Sequence, residues 1–374
     1  MSGQVIIAPD KFKGTLTAAE VAAHIAAGLE KARPGIQTVQ VPVADGGDGT
    51  VDAAVAAGYR RVEIGVRGPT GRPVTAAFAF DGTTAIIESA QACGLTRLPA
   101  GQFAALTATS RGVGELILAA VRMKAKRVVL GLGGSATNDG GAGMARALGV
   151  RMVGEDALEI PPGGSALARL ASVDLSPLHD LTGVEFIVAT DVNNPLLGPS
   201  GAVTIYGPQK GASADDVDLL EAGLTRWADL VEASLGRTLR DAPGSGAAGG
   251  LGFAALAFLD ARMEPGIPLM LDLVAFESHL EGARLVVTGE GSLDSQTLHG
   301  KAPMGVASAA AKHSVPVVAM AGVCSLSAGQ LPLAHIERAY ALTDIEPDEA
   351  RCRTEAGPLL ESLAAAVAGD WLSP

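Results

Sequence analysis

Short runs of apolar residues alternate with stretches of helical period through the first sixty positions. Residues 5–8, VIIA, contain no polar member and read as a buried strand. Thr17-Ala-Ala-Glu20 is a capping box, in which the hydroxyl and the carboxylate satisfy each other's backbone N–H groups at a helix start. Val21, Ile25 and Leu29 then recur along one helical face, and Pro34-Gly35 ends it. Residues 38–43 are the next predicted strand and 50–57 the next helix. Alternation of this kind implies parallel strands joined by right-handed crossovers.

Near residue 70 the pattern changes. Residues 73–80 and 83–87 are rich in β-formers and flank Asp81-Gly82, a hairpin signal. Alternation then resumes with a helix over 112–122, a strand over 127–130, a glycine-rich loop and a helix over 143–148. A strand follows over 185–189, and Ser213-Ala-Asp-Asp216 caps a helix running through Trp227. The end repeats the style of the beginning: strand 285–288, helix 305–312, strand 315–320. Residues 163–178 read as the most loop-like stretch, and no internal repeat or low-complexity linker is evident. Breaks near 70 and 285 predict one domain inserted into another.

Length and composition sharpen this. At 374 residues the chain exceeds one ordinary core, so two domains are expected. Apolar residues at 48% and charged ones at 18% exclude a disordered chain. Aromatics are only 3% and glycines number 48, so the core is built from small and aliphatic side chains, with many close backbone approaches. The 28 basic and 40 acidic residues leave a net charge of −12. Lys124, Lys126 and Arg127 are a short cluster that leads into an apolar strand, so no nucleic-acid partner is expected. An anionic ligand would have to be held by local cations and backbone N–H groups against this overall field.

Cys93, Cys324 and Cys352 show no CxxC spacing and predict free thiols in a reducing compartment. The start, MSGQVIIAPD, lacks the basic and long apolar regions of a signal peptide. The uncharged window 242–259 holds five glycines and a proline, and 314–336 holds Pro316 and Pro332, so neither reads as a membrane span. The expectation is a soluble, cytoplasmic protein, with its assembly open between monomer and homodimer.

Five polar segments, four of them containing glycine, directly follow predicted strands: 8–14, 44–50, 131–141, 190–195 and 288–294. In open α/β sheets, ligands bind outside the carboxyl ends of strands. In the segment 131–143 glycines allow backbone N–H groups to converge on an anion, and the following helix adds its positive end. A tight strand-to-helix turn is the plainer alternative. GLGGSA also fits the dinucleotide pattern G-x-G-x-x-A, but the acidic partner expected about twenty positions on would be Glu155 or Asp156, in a polar stretch rather than at a strand end. An NAD-dependent dehydrogenase is therefore a weak rival. No GxxxxGK[ST], HRD, DFG or GxSxG is present, which excludes P-loop enzymes, protein kinases and elbow-type hydrolases. No histidines pair at metal spacing; His24 reads as a helix-surface residue and His299 as the one histidine near a site.

The carboxylates Asp10, Asp45, Asp48, Asp139, Asp191, Glu290 and Asp294 all lie in predicted loops, most of them near glycines. As a set they suit Mg²⁺, held through one or two of them, with another turned toward a hydroxyl. Lys11, Lys13, Lys210 and Lys301 supply local positive charge. These segments together, APDKFKGTLTA (8–18), PVADGGDGT (42–50), GLGGSATNDGGAGMARALG (131–149), ATDVNNPLLGPSGA (189–202), YGPQKGA (206–212), PGSGAAGGLG (243–252) and TGEGSLDSQTLHGKAP (288–303), resemble the type I glycerate kinases across nearly the whole chain and in the right order.

The resemblance implies ATP-dependent phosphorylation of D-glycerate, in that family typically at the 2-hydroxyl, with Mg²⁺. It also implies an α/β fold: a Rossmann-like domain from residues 1–70 and 286–374, with a flavodoxin-like domain, 71–285, inserted. With that activity as a frame, Gly131, Gly133, Gly134, Ser135, Asn138 and Asp139 are candidates for the nucleotide phosphates. Asp191 is the candidate base, and Lys11 a catalytic cation that also holds glycerate. Asp45, Gly46, Gly47 and Lys301 are candidates for substrate, and Glu290 and Asp294 for the metal. Ser292 stands where many members of that family carry arginine, which lessens the role this loop can play. Rival readings are a GHMP-type small-molecule kinase, because GLGGSAT is similar to that family's GLGSSA loop, and a non-catalytic sugar-acid sensor. Such a sensor would not need so many loop carboxylates.

Overall fold

The computed structural model describes residues 3–372. In chain order its strands are β1 (Gln4–Pro9), β2 (Thr38–Gln40), β3 (Arg60–Arg67), β4 (Pro73–Phe80), β5 (Thr84–Glu88), β6 (Arg127–Gly131), β7 (Arg151–Gly154), β8 (Leu170–Asp174), β9 (Glu185–Ala189), β10 (Arg262–Glu264), β11 (Ala283–Leu293), β12 (Val317–Cys324) and β13 (Arg338–Ala341). Helices separate most of them, as an α/β chain requires. The chain divides into two compact units. One comprises residues 3–45, 52–58 and 266–372; the other comprises 46–51 and 59–265.

The first unit is a five-stranded sheet in the order β13-β12-β11-β1-β2, with every pair parallel. Successive residues of β1 enter opposite faces, so Val5 and Ile7 join one apolar cluster and Ile6 and Ala8 the other. On the first face lie the helices Ala18–Ala32 and Ala356–Trp371, and on the second Gly266–Leu273 and Ala302–Lys312. The Thr17–Glu20 capping box opens the first helix as its sequence dictates. From β1 the chain crosses to β2 on one side, and from β11 it crosses to β12 on the other. The strand order therefore reverses between β1 and β11, and their carboxyl ends flank the crevice in which open α/β sheets bind ligands.

The second unit is a six-stranded sheet in the order β10-β9-β6-β5-β4-β3. Strands β3, β4 and β5 are antiparallel, and β5, β6, β9 and β10 run parallel. The carboxyl ends of the parallel strands stand in register: Glu88 beside Gly131, Gly131 beside Ala189, and Ala189 beside Glu264. One apolar cluster holds this unit together, with Trp227 and Phe78 fully buried in it.

Of the differences from the sequence expectation, three have a local reason or lie next to the site. The strand expected over 38–43 ends at Gln40, because Pro42 has no N–H to continue the ladder, although Val41 and Val43 still donate to Ile7 and Pro9. β3 is an addition; its Val62, Ile64 and Val66 alternate with Glu63, Gly65 and Arg67 as an edge strand should. Residues 163–178, expected as loop, contain the 3₁₀ helix Gly164–Arg169 and β8, which pairs with β7. Among the described residues no helix is long and apolar enough to cross a membrane.

Gly28 sets how closely two helices of the first unit approach. A Cβ there would meet Glu361 O at 2.3 Å and Ala364 Cβ at 2.7 Å. Replacing a helical glycine with alanine gains about 1 kcal/mol in propensity. A fixed carbonyl cannot yield, however, and overpacking typically costs about 1–3 kcal/mol. Gly28→Ala should therefore lower the melting temperature by a few degrees, read by calorimetry; an unchanged or raised midpoint would show that the helices separate freely.

Candidate functional site

Each unit gathers its own polar groups at the carboxyl ends of its parallel strands. In the first unit Asp10 follows β1, and its N–H donates to Gly289 O at 2.8 Å, which sets it beside Glu290 of β11. Asp10 is buried, and burial pushes its carboxyl up to about 6; Lys11 opposes the shift and Asp45 adds to it. The Lys11 N–H donates to Asp10 Oδ1 at 2.7 Å, and its ammonium lies 3.5 Å from the same oxygen. Glu290 is likewise raised by burial, with Asp10 and Asp294 adding repulsion and Thr297 and Lys301 opposing it. Thr297 Oγ1 donates to Glu290 Oε1 at 2.6 Å. Lys301 Nζ stands 3.6 Å from Glu290 Oε2 and 3.6 Å from Asp294 Oδ1.

Thus Asp10, Lys11, Glu290, Asp294 and Lys301 form one charged group at the reversal point of the sheet, with Asp45 close enough to act on Asp10. Ser292 is an exposed position of β11 paired with Val323. The His299 side chain lies outside the described residues.

In the second unit residues 46–48 lie directly on the glycine-rich loop after β6. A Cβ at Gly131 would meet Gly46 O at 2.2 Å, one at Gly133 would meet Gly47 Cα at 2.5 Å, and one at Gly134 would meet Asp48 Oδ1 at 2.3 Å. Gly134 also has φ +70°, a backbone region that disfavours side chains. These glycines permit chain-on-chain contact as well as any approach of a ligand. Val51 N–H donates to the Glu88 carboxylate, tying the start of the helix Thr50–Ala56 to the end of β5. Asp48 Oδ1 is buried with no hydrogen-bond partner among the described residues.

The remainder of the loop is fixed from within. Asp139 is buried, and its carboxylate accepts from Ser110 N–H at 2.8 Å, Ser110 Oγ at 2.9 Å, Gly141 N–H at 3.2 Å and Gly143 N–H at 3.1 Å. Burial raises its carboxyl, and these donors work against the rise. Asn138 Nδ2 donates to Ala105 O at 3.2 Å, and Trp227 Nε1 donates to Gly140 O at 3.0 Å. Gly249, at φ +69°, interrupts the helix Ala247–Phe258 and would drive a Cβ to 1.9 Å from Thr137 O. The side chain of Lys210 reaches the same loop, donating to Ser135 Oγ at 3.2 Å and Thr137 O at 2.7 Å. Asp191 lies just past β9, exposed, in the segment where Thr190 N–H donates to Glu264 O at 3.0 Å and Val192 N–H to Thr190 Oγ1 at 3.2 Å.

The candidate residues therefore fall into two groups. Asp10, Lys11, Asp45, Glu290, Asp294 and Lys301 belong to the first unit; Gly46, Gly47, the loop from Gly131 to Asp139 and Asp191 belong to the second. Within the second, Asn138 and Asp139 turn inward to the protein. Sequence reasoning missed Glu88, Ser110 and Trp227. Glu88 had a signal, a carboxylate closing an apolar run; Ser110 and Trp227 had none, since their partners lie 29 and 87 positions away.

Known proteins agree with this picture of an α/β enzyme whose charged loops crown parallel strands. The glycerate kinase family model matches residues 5–372. A glycerate kinase of Bacillus subtilis (strain 168) is 50% identical over 86% of this chain and 85% of its own. A glycerate 2-kinase of Escherichia coli (strain K12) is 46% identical over 85% of each. A crystal structure of a protein assigned as glycerate kinase 2, from Salmonella typhimurium LT2, superposes with a TM-score of 0.84 and 38% identity over 100% of both chains. The chain belongs to the glycerate kinase family. It is a kinase, a phosphotransferase acting on an alcohol group.

Asp139→Ala should remove the acceptor of four donors at once. Each buried donor left unmade costs about 1–3 kcal/mol, less whatever water recovers. We expect a loss of about 3 kcal/mol or more in denaturant-derived stability, with Asp139→Asn losing less because its oxygen still accepts. Equal stability of Asp139→Ala and the parent would show that the cage is not holding the loop.

Proposed function

We propose that the protein transfers the terminal phosphoryl group of ATP to the 2-hydroxyl of D-glycerate, giving 2-phospho-D-glycerate. The observation that carries this reading is the match of the glycerate kinase family to residues 5–372, with a 46% identical relative named for the 2-product. Phosphoryl transfer asks a protein for positioning and charge neutralisation more than for covalent chemistry, and the two groups of residues suit those tasks.

In this reading the loop from Gly131 to Asp139 receives the nucleotide phosphates. Ser135 is the polar contact, while Asn138 and Asp139 keep the loop's shape. Asp191 draws the proton from the substrate hydroxyl. Lys11 and Lys301 meet the carboxylate of glycerate, and Asp45, Gly46 and Gly47 meet its hydroxyls. The alternating carboxylates and ammonium groups about β1 and β11 favour this, since a hydroxy acid offers both an anion and hydroxyl donors.

Glu290 and Asp294 would hold Mg²⁺. Their oxygens are hard donors, and the Lys301 ammonium stands 3.6 Å from one oxygen of each, which supports a negative field there. Among the described residues no group of three His, Cys, Asp or Glu side chains forms a ready-made metal centre. Mg²⁺ commonly takes only one or two carboxylates and completes its shell with water and phosphate oxygens. Bound there, the ion would neutralise charge on the triphosphate.

The direct test incubates the protein with ATP, Mg²⁺ and D-glycerate and identifies the product by phosphorus NMR. We expect 2-phospho-D-glycerate; a 3-phosphorylated product would refute the regiochemistry, and none at all the activity. Excess chelator should abolish turnover, and full turnover with chelator present would remove the metal from the scheme.

Asp191→Asn keeps size and shape but cannot take a proton. General-base catalysis contributes roughly 10²–10⁴-fold, so kcat should fall by about that factor while the KM for glycerate changes far less. A loss that high Mg²⁺ partly restores would move Asp191 from base to metal ligand. Near-parental kcat in a folded Asp191→Asn protein would exclude both roles.

A further inference from the structure

Lys210 is 3% exposed. Lysines are almost never this deeply buried unless paired, because removing an ammonium from water is costly. Yet the two acceptors of its nitrogen, Ser135 Oγ and Thr137 O, are neutral. A methionine could fill the same buried space without burying a charge. The glycine turn that follows, Gly211 at φ +89°, fixes where the lysine starts, with Phe103 packed close against it. The nitrogen ends under the middle of the glycine-rich loop, 75 and 73 positions away in the chain.

A serine hydroxyl has one hydrogen to give and two lone pairs to receive with. With the lysine donating into one lone pair, the Ser135 hydrogen must point elsewhere. We propose that Lys210 is the positioning cation of the glycine-rich loop, holding Ser135 and Thr137 from inside the fold and turning the Ser135 hydroxyl hydrogen toward a bound phosphate oxygen. This rests on the assignment of that loop to the nucleotide phosphates. It also resolves the difficulty posed by a net charge of −12, since a buried cation behind the loop attracts a polyanion that the surface as a whole repels.

The titratable groups that face Lys210 are Cys93 and Asp139. Burial lowers the lysine to about 8, and the negative charge of Asp139 opposes the shift. The Cys93 thiol is pushed up to about 12 by burial and stays neutral through the range of interest. A free enzyme whose lysine loses its proton near pH 8 should lose ATP affinity as pH rises from 7 to 9.5, because the anion prefers the charged form.

The experiment measures ATP binding by isothermal titration calorimetry at pH 7.0, 8.0 and 9.5 for the parent, Lys210→Met, Lys210→Arg and Gly134→Val. Charge-assisted hydrogen bonds scale to about a ten- to hundred-fold change in affinity. We expect Lys210→Met to bind ATP that much more weakly at pH 7, with little further change up to pH 9.5. Lys210→Arg should recover part of the loss at every pH, and the KM for glycerate should stay near the parental value in both variants. A folded Lys210→Met protein with parental affinity at pH 7 would overturn the assignment, as would a pH dependence equal to the parent's. Should Lys210→Met fail to fold, the parent decides: affinity that is flat from pH 7 to 9.5 overturns the proposal, and a fall that sets in near pH 8 supports it. If Lys210→Met binds normally while Gly134→Val does not, the loop assignment stands and the lysine's role falls. If Gly134→Val binds as the parent does, the loop itself is misassigned and the lysine's role falls with it.

Discussion

One buried carboxylate fixes the geometry of the second unit. Asp139 is out of water, and a carboxylate there is tolerable only if donors replace its hydration. Ser110 supplies its N–H and its hydroxyl, and Gly141 and Gly143 supply theirs. Those bonds pin the end of the glycine-rich loop and the start of the helix Ala142–Ala147 to the segment that opens the helix Arg111–Arg122. Ser110 Oγ also accepts from Met144 N–H at 3.0 Å, so one hydroxyl serves both sides of the junction. Glycine at 143 is obligatory, since a Cβ would lie 2.4 Å from Thr109 Oγ1.

The first unit solves a different electrostatic problem. Asp10 and Glu290 are adjacent because β1 and β11 are parallel neighbours in register, with Pro9 opposite Gly289. Two carboxylates so placed repel, and burial raises both. Lys11 and Lys301 approach from the loops after the strands and offset the repulsion. The result is a cluster of polar groups that mixes signs at short range.

The net charge of −12 would oppose binding of a nucleotide if it acted evenly. Salt screens the distant surface charges over about 8–10 Å, so the nearest groups dominate. For any anion bound at the strand ends, the cations and N–H groups held there count for more than acidic residues on the distant surface. The glycines of the loop answer a packing constraint instead. At 131, 133 and 134 the chain runs against residues 46–48 so closely that any side chain would collide.

The sequence by itself determined the local elements and the family. The capping boxes at Thr17 and Ser213, the hairpin at Asp81-Gly82 and the apolar runs of β1, β6 and β9 depend on neighbours in the chain, so their signals are complete within a few residues. The motif segments likewise identify a glycerate kinase, because their order and residue types are linear information. Tertiary structure alone decided which charges meet. Asp10 and Glu290 are 280 positions apart, and only the parallel pairing of β1 with β11 brings them together. Asp139 reads in the sequence as one more loop carboxylate, and only the fold turns it inward toward Ser110 while leaving Asp191 exposed. Lys210 reads as a loop cation, and only the packing around Gly211 buries it under Ser135. Periodicity records which side of its own element a residue occupies; burial and charge environment are set by what packs against that side, and that information is spread over the whole chain.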